Sequence, residues 1–183
     1  MRLQRSDALL VIIDVQERLM PVIDAREAVE RNIARLIRGC HILDVSPVVT
    51  EQYVKGLGAT VPDVRKALEE TFGYTPIEKD SFSSFACGEF QAALRSVRKR
   101  QILVAGVEAH VCVWQTVSDL LANNYEVTVI ADATSSRSPQ NKDIALRRMV
   151  SEGAKLSSTE MALFELTVAS GTDEFRAISK LVK

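Results

Sequence analysis

The chain has 183 residues, of which 23 are basic and 24 acidic, giving a formal net charge of -1. This length suits one ordinary domain over residues 1-183, and the balanced charge argues against nucleic acid or an anionic membrane surface as a partner. The longest apolar run, Ala8 to Ile13, is far too short to span a bilayer.

The first half of the chain alternates strand-like and helix-like segments. Ala8 to Ile13 is continuously apolar, which is typical of a strand buried on both faces of a parallel sheet. Glu27 to Leu43 carries apolar residues at helical spacing, which predicts an amphipathic helix. The next predicted segments are a strand at Pro47–Thr50, a Gly-rich loop at Lys55–Pro62, a short helix at Asp63–Glu70, a strand at Thr75–Glu78 and a helix at Glu89–Val97.

The second half continues the alternation. Gln101 to Ala105 is predicted to be a buried strand that ends at Gly106, and Val111 to Ala122 a helix. The remaining predicted segments are a strand at Glu126–Ala131, a helix at Gln140–Ser151, a strand at Lys155–Ser157 and a helical C-terminal segment at Thr159–Val182. Such alternation is typical of βαβ units, whose right-handed crossovers place helices on both faces of a parallel sheet. We therefore predict the α/β class, as a three-layer α/β/α sandwich with a central, mostly parallel sheet.

Reactive side chains follow three of the predicted strands. Asp14 comes directly after the first strand, Lys79 directly after the segment Thr75–Glu78, and Cys112 shortly after the strand that begins at Gln101. In open α/β sheets, active sites lie beyond the carboxyl ends of the strands, near the point where the strand order reverses. These three residues are therefore the candidate catalytic residues.

Cys112 is the candidate nucleophile. A thiol at a helix N-terminus is exposed to partial positive charge and to free amide donors, and both favour the thiolate. A nearby lysine would favour it further, and a carboxylate within reach could accept the thiol proton. Taken singly, a cysteine in an apolar helix is more often a small buried hydrophobe, Asp14 could be a cap and Lys79 a solvated loop residue. Their joint placement at strand ends favours the catalytic interpretation.

The other cysteines and the two histidines gain less support. Cys40 ends a helical stripe and is expected to be structural, whereas Cys87 lies in a loop soon after Lys79 and is a candidate for the pocket lining. The three cysteines are widely spaced without a CxxC pair, which predicts free thiols in a reducing cytoplasm. No cleavable secretory signal is expected. His41 and His110 have no partners at metal-ligand spacing, so neither a metal nor another cofactor is expected.

Several pieces of the chain, taken in order, resemble the isochorismatase-like (cysteine hydrolase) family, which includes nicotinamidases and N-carbamoylsarcosine amidases. The pieces are Asp14-Val15-Gln16 with Leu19, Lys79 with Phe82-Ser83-Ser84-Phe85, Gly106 to Val113, Thr116 with the helix to Leu121, and Ala131-Asp132-Ala133 with Ser135-Ser136-Arg137. The likeness covers residues from about Asp7 to Phe164. Within the family, the segment Thr50 to Gly58 is most similar to the small isochorismatase-domain-containing proteins.

The resemblance implies a Rossmann-type topology and a catalytic triad of Asp14, Lys79 and Cys112. It also implies a cis peptide bond between Val107 and Glu108, and an oxyanion hole formed by the backbone N–H groups of Glu108 and Cys112. The implied function is hydrolysis of an amide-type C–N bond of a small molecule through a cysteine thioester. Relatives commonly form homo-oligomers, so a homo-oligomer is expected.

Some positions depart from the pattern of relatives. Metal-dependent nicotinamidases carry an Asp/His cluster where this chain has Gln52 and Tyr53, which argues against metal-assisted chemistry. True isochorismatases cleave a vinyl ether and lack the nucleophilic cysteine, so Cys112 favours acyl chemistry. Glu108 is larger than the usual residue, and its side chain could shape specificity or pair with a cation.

Alternatives to the amidase interpretation remain open. One is isochorismatase-type ether hydrolysis, and another is a non-catalytic scaffold or binding protein on the same fold. A nucleotide-binding protein and a serine hydrolase are disfavoured because the chain has no GxGxxG, P-loop or GxSxG motif. The candidate pocket residues, for which ordinary packing is the alternative, are Gln16, Gln52, Tyr53, Phe82, Phe85 and Trp114.

Overall fold

A computed structural model describes residues 2–183 of the chain. Its centre is one six-stranded sheet in which all neighbouring strands run parallel, in the order β3-β2-β1-β4-β5-β6. The strands are β1 (Ala8–Ile13), β2 (Pro47–Gln52), β3 (Ile77–Lys79), β4 (Gln101–Val107), β5 (Glu126–Ser135) and β6 (Lys155–Ser157). The chain moves outward in one direction from β1 to β3 and in the other from β4 to β6. The strand order therefore reverses between β1 and β4.

Helices connect these strands and cover the sheet. They are α1 (Arg26–Ile42), α2 (Val54–Leu57), α3 (Pro62–Glu69), α4 (Gly88–Val97), α5 (Trp114–Ala122), α6 (Pro139–Ser151), α7 (Thr159–Thr167) and α8 (Asp173–Val182). Short 3-10 turns lie at Arg5–Asp7, Met20–Val22 and Ser84–Ala86, and a π-helical turn spans Ala109–Val113. In the part of the chain that the structure describes, no helix is both long and apolar enough to cross a membrane.

The side chains of β1 alternate between two hydrophobic cores. Leu10 and Ile12 belong to the core that also contains buried residues of α1, α3, α7 and α8. Leu9, Val11 and Ile13 belong to the other core, with buried residues of α4, α5 and α6. Because successive side chains of a strand point to opposite faces, a strand between two helical layers must be apolar throughout. The predicted three-layer sandwich is confirmed, and the sheet is entirely parallel.

Gly106 does not end β4 as the sequence suggested, since the strand continues through it to Val107. Its φ is +124°, and an added Cβ would lie 2.1 Å from the carbonyl oxygen of Ile13 on β1. A side chain at this position would therefore collide with the neighbouring backbone. Glycine here allows the ends of β1 and β4 to approach each other closely beside the candidate site.

Other boundaries also differ from the sequence prediction. The helix expected from Val111 begins with the π-helical turn, and regular α-helix starts only at Trp114. The C-terminal segment is two helices, because Val168 has a φ of +71° and interrupts the predicted continuous helix.

Candidate active site

The fold brings the three candidate catalytic residues to one end of the sheet. Asp14 directly follows β1, and its N–H donates to the carbonyl of Thr50 on β2 at 3.1 Å. Lys79 is the last residue of β3, and Cys112 lies in the π-helical turn that follows β4. Asp14, Lys79 and Cys112 are only 0%, 5% and 6% exposed, so the cluster is almost closed to solvent. It sits where the strand order reverses, as expected for a parallel sheet.

Asp14 and Lys79 form a fully buried ion pair. The ammonium Nζ of Lys79 lies 2.7 Å from Oδ2 of Asp14, and both side chains have zero exposure. The hydroxyl of Thr50 donates to the other carboxylate oxygen, Oδ1, at 2.8 Å. A carboxylate can be buried in a protein when it is paired with a cation and hydrogen-bonded, as Asp14 is here.

Lys79 has more acceptors than the carboxylate alone. Its Nζ also donates to Oε1 of Gln52 at 2.8 Å and lies 3.1 Å from each of the carbonyl oxygens of Ser81 and Phe82. Four acceptors thus surround three N–H bonds. The ammonium is held in place on all sides and also anchors the turn that follows β3.

The Cys112 thiol is close enough to Asp14 and Lys79 for both of their charges to act on it. Its pKa is raised far above the usual thiol value, first by burial and then by the negative charge of Asp14, whereas Lys79 acts in the opposite direction. Because burial and the carboxylate outweigh the lysine, the thiolate that the sequence analysis favoured is not the resting form. The resting group is a protonated thiol in the neighbourhood of the Asp14 carboxylate.

The segment between β4 and the π-helical turn presents a backbone donor beside this cluster. The Val107–Glu108 peptide bond is cis, and among residues 2–183 the Glu108 N–H has no acceptor. The carbonyl of Glu108 accepts from the N–H groups of Val111 and Val113, at 3.0 and 3.2 Å. The Glu108 carboxylate pairs with Arg137, through the backbone N–H at 3.1 Å and Nε at 3.0 Å. Of the two roles left open for this side chain, pairing with a cation is the one observed.

A family model described as the isochorismatase domain matches residues 8–161 of the chain. The chain belongs to the isochorismatase family. Isochorismatase domain-containing protein 2 of Danio rerio is 37% identical over 182 residues, covering 99% of this chain and 89% of the relative. The secreted isochorismatase effector Isc1 of Phytophthora sojae is 35% identical, covering 100% of this chain and 87% of the relative. These findings confirm the family resemblance read from the sequence.

Solved structures agree with this assignment. The MAR1 ribonuclease of Caenorhabditis elegans superposes on the chain with a TM-score of 0.92 and 33% sequence identity, covering 100% of this chain and 92% of that structure. The fold of the isochorismatase family is therefore the fold of this chain.

Two of the predicted pocket residues of this isochorismatase-family protein serve the internal framework. The amide of Gln16 donates to the carbonyls of Gln52 and Gly58, at 2.9 and 2.7 Å, and accepts from the Gln52 N–H at 2.7 Å. The amide of Gln52 bridges Lys79 and the carbonyl of Asp80, to which it donates at 2.7 Å. Both amides are engaged by protein groups, and that Gln16 and Gln52 contact a substrate stays a prediction.

The four predicted aromatic pocket residues are dispersed. Tyr53 and Phe82 are 56% and 55% exposed, Phe85 lies edge-on to Tyr125, and Trp114 lies under the guanidinium of Arg148. A cavity of about 650 Å³ is lined by Tyr53, Lys79 and Cys87 among others, but not by Asp14 or Cys112. That Tyr53, Phe82, Phe85 and Trp114 contact a substrate therefore stays a prediction.

Thr50 and Thr116 support the site without having been predicted to do so, although Thr116 belongs to a piece that resembles the family. Thr50 supports Asp14, and its strand register opposite Ile13 places it beside that carboxylate. Thr116 donates to the carbonyl of Cys112 at 2.7 Å and accepts from the N–H of Ser84 at 2.9 Å, tying α5 to the 3-10 turn. Thr116 lies one helical turn after the cysteine, which is the sequence signal that could have found it.

The remaining cysteine and histidine side chains lie in other surroundings. Burial raises the pKa of Cys40 to about 12, in keeping with the structural role expected for it. Nδ1 of His110 lies 3.0 Å from the hydroxyl of Ser136. Among residues 2–183, no group of three or more His, Cys, Asp and Glu side chains is arranged to hold a metal ion.

Proposed function

We propose that this isochorismatase-family hydrolase cleaves an amide-type C–N bond of a small molecule through a thioester on Cys112. The observation that carries the proposal is the burial of the Cys112 thiol within the influence of the fixed Asp14–Lys79 ion pair. A thiol near a charged, fixed base is an arrangement suited to covalent catalysis.

In the first half of the reaction, the Asp14 carboxylate takes the thiol proton while Sγ of Cys112 attacks the substrate carbonyl carbon. The carbonyl π electrons move to the oxygen, which becomes an oxyanion. When the tetrahedral adduct collapses, the C–N bond breaks and the nitrogen takes the proton from Asp14. An amine or ammonia leaves, and the acyl group remains on sulfur as a thioester.

In the second half, a water molecule gives a proton to Asp14 and attacks the thioester carbon. Collapse of this adduct breaks the C–S bond and releases a carboxylic acid, and the thiolate recovers the proton from Asp14. The same carboxylate acts as base and then as acid in each half of the reaction.

Because the pKa of Cys112 is raised, the thiolate needs a nearby positive charge, and Lys79 provides it. Forming the thiolate transfers a negative charge from Asp14 to sulfur, and the nearby ammonium offsets its burial. The free N–H of Glu108, together with that of Cys112, is proposed to hold the oxyanion. Such backbone donors are typically worth about 3–4 kcal/mol in the transition state.

The name of the solved relative raises RNA cleavage as a second possibility. The catalytic candidates here are at most 6% exposed, and the chain carries a net charge of only -1. An extended polyanion needs a basic, accessible groove, so a small neutral carbonyl compound suits the closed cluster better. Ether hydrolysis and a non-catalytic role stay alternatives, separated by whether a covalent intermediate forms on Cys112.

The cellular location and the oligomeric state of the protein are also proposals. Free thiols agree with a reducing cytoplasm, whereas a relative 35% identical to this chain is named a secreted effector. A homo-oligomer is likewise proposed, and light scattering of the purified protein measures it directly.

The test is turnover of a panel of small primary amides and carbamoyl compounds, followed by release of ammonia. We expect hydrolysis by the wild type and by Cys87→Ala, and at least about a thousandfold loss in Cys112→Ala and in Asp14→Asn, as expected when members of a catalytic unit are removed. Retention of full turnover by Cys112→Ala would refute the proposal. A short RNA serves as a further substrate, and cleavage of it alone would favour the second possibility.

A further inference from the structure

The buried network around Lys79 contains an acceptor that the proposed mechanism does not use, the side-chain amide of Gln52. Its Oε1 accepts from Lys79 at 2.8 Å, a distance nearly equal to that between Lys79 and the Asp14 carboxylate. Gln52 is 8% exposed and ends β2 in register with Lys79 on β3. The lysine is therefore held between one charged and one neutral side chain.

The orientation of this amide is fixed by its other contacts. Nε2 of Gln52 donates to the carbonyl of Asp80, which leaves Oε1 to face the ammonium. The backbone of Gln52 is clamped on both sides by Gln16, whose amide accepts from its N–H and donates to its carbonyl. Every polar atom of Gln52 is thus engaged, and its oxygen cannot turn away without losing the bond to Asp80.

The buried ion pair contains one negative charge, on Asp14, and one positive charge, on Lys79. Within residues 2–183, Asp14 is the carboxylate that forms an ion pair with Lys79, and the other three acceptors of the ammonium are neutral oxygens. When Asp14 takes the thiol proton it becomes neutral. Among the described residues, Lys79 then has no charged ion-pair partner left, and its positive charge can stabilise the Cys112 thiolate.

A carboxylate at position 52 would change this balance. It would remain paired with Lys79 throughout the reaction and would add a second negative charge near the thiolate. Since an additional nearby anion disfavours ionisation of a thiol, a side chain of the same shape but negative charge would suppress the nucleophile. The neutrality of Gln52 therefore matters separately from its size and its hydrogen bonds.

We propose that Gln52 is a positioning residue that orients Lys79 through a neutral oxygen and so keeps the lysine charge available to the Cys112 thiolate. This inference rests on the proposed role of Cys112 as the nucleophile. It assigns to an uncharged glutamine the control of how readily that thiol ionises.

The test compares Gln52→Glu with Gln52→Met, using the rate at which iodoacetamide alkylates Cys112 between pH 7 and 9, mapped by mass spectrometry. The partly exposed Cys87 in the same samples is the reference thiol. We expect Gln52→Met to stay within about threefold of wild type, since Lys79 keeps three acceptors and its charge. Gln52→Glu should react at least about tenfold more slowly than Gln52→Met at every pH, which corresponds to a thiol pKa higher by about one unit or more.

Two further variants complete the design. Gln115→Glu makes the same change on an exposed side chain of α5 and should keep the wild-type rate, because solvent and salt screen it. Gln52→Asp places a shorter carboxylate farther from the Asp80 carbonyl and replaces Gln52→Glu if circular dichroism finds the latter unfolded.

The outcomes separate this inference from the function on which it rests. If Cys112 of the wild type resists alkylation at every pH while Cys87 reacts, the proposed nucleophile itself fails. If Cys112 reacts but the charged and neutral variants slow it equally, Gln52 has only a structural role and the inference is overturned. It is also overturned if neither variant slows the reaction.

Discussion

Replacing Lys79 by methionine tests the electrostatics of the site most sharply. The ammonium lies 2.7 Å from the Asp14 carboxylate, and both side chains have zero exposure. Methionine keeps an unbranched apolar side chain but leaves the carboxylate buried without a cation. Removing one partner of a buried ion pair typically costs about 3–5 kcal/mol, and we expect Lys79→Met to lose that much unfolding free energy at pH 7.

A double-mutant cycle isolates the pair from the rest of the change. Asp14→Asn suits the position because Asp14 has a φ of +53°, which asparagine tolerates better than most residues. In the double variant no charge is left unpaired. We expect it to be more stable than the sum of the two single losses predicts, by about 2 kcal/mol, the size of coupling found for residues in contact.

The assay is urea unfolding followed by circular dichroism at pH 7, with linear extrapolation to water. Lys66→Met is the control: Lys66 pairs with Glu70 at 3.8 Å but its side chain is 69% exposed, so its loss should stay below about 1 kcal/mol. A loss below about 1 kcal/mol in Lys79→Met, or a strictly additive cycle, would show that the buried ion pair does not stabilise the fold as proposed.

Two further predictions concern the sheet and the hydrophobic core that contains Cys40. Gly106→Ala should lose about 2 kcal/mol or more of unfolding free energy in urea, because the new Cβ would lie 2.1 Å from the Ile13 carbonyl oxygen. The control is Gly153→Ala, where φ is +110° but the space is open, so only backbone strain is added. Equal losses in the two variants would contradict the steric explanation. Burial raises the pKa of Cys40 to about 12 from 9.0, so its contribution to stability is complete below pH 9.0 and declines as the pH rises toward 12. Between pH 9.5 and 11, the wild type should therefore lose about 1.4 kcal/mol per pH unit more than Cys40→Ala, and parallel pH profiles would contradict this.

The fold could be predicted from the sequence because the buried strands have a distinctive composition. Ala8 to Ile13 is apolar without interruption, and only a strand covered on both faces needs that composition. The boundaries that failed depend on tertiary geometry. Gly106 was taken as a strand end, whereas it is required by the closeness of the Ile13 backbone, which no local pattern reveals.

The candidate site divides in the same way. Asp14, Lys79 and Cys112 stand at strand ends, and the parallel topology brings such positions together, so the cluster could be anticipated from their order. The protonated state of Cys112 could not, because it depends on burial and on the carboxylate rather than on the position of the thiol along the chain. The contact between Gln52 and Lys79 could not be predicted either. The two residues are 27 positions apart in the chain, and only the strand register makes them neighbours.

Cys112 is proposed to form the covalent intermediate, with Asp14 as its base. The most direct measurement is acetylation by p-nitrophenyl acetate, a small activated ester, followed by rapid acid quenching and peptide mapping by mass spectrometry. We expect one acetyl group on Cys112 in the wild type and a strongly reduced amount in Asp14→Asn. Acetyl transfer to Cys87 alone, or undiminished acetylation of Cys112 in Asp14→Asn, would contradict it.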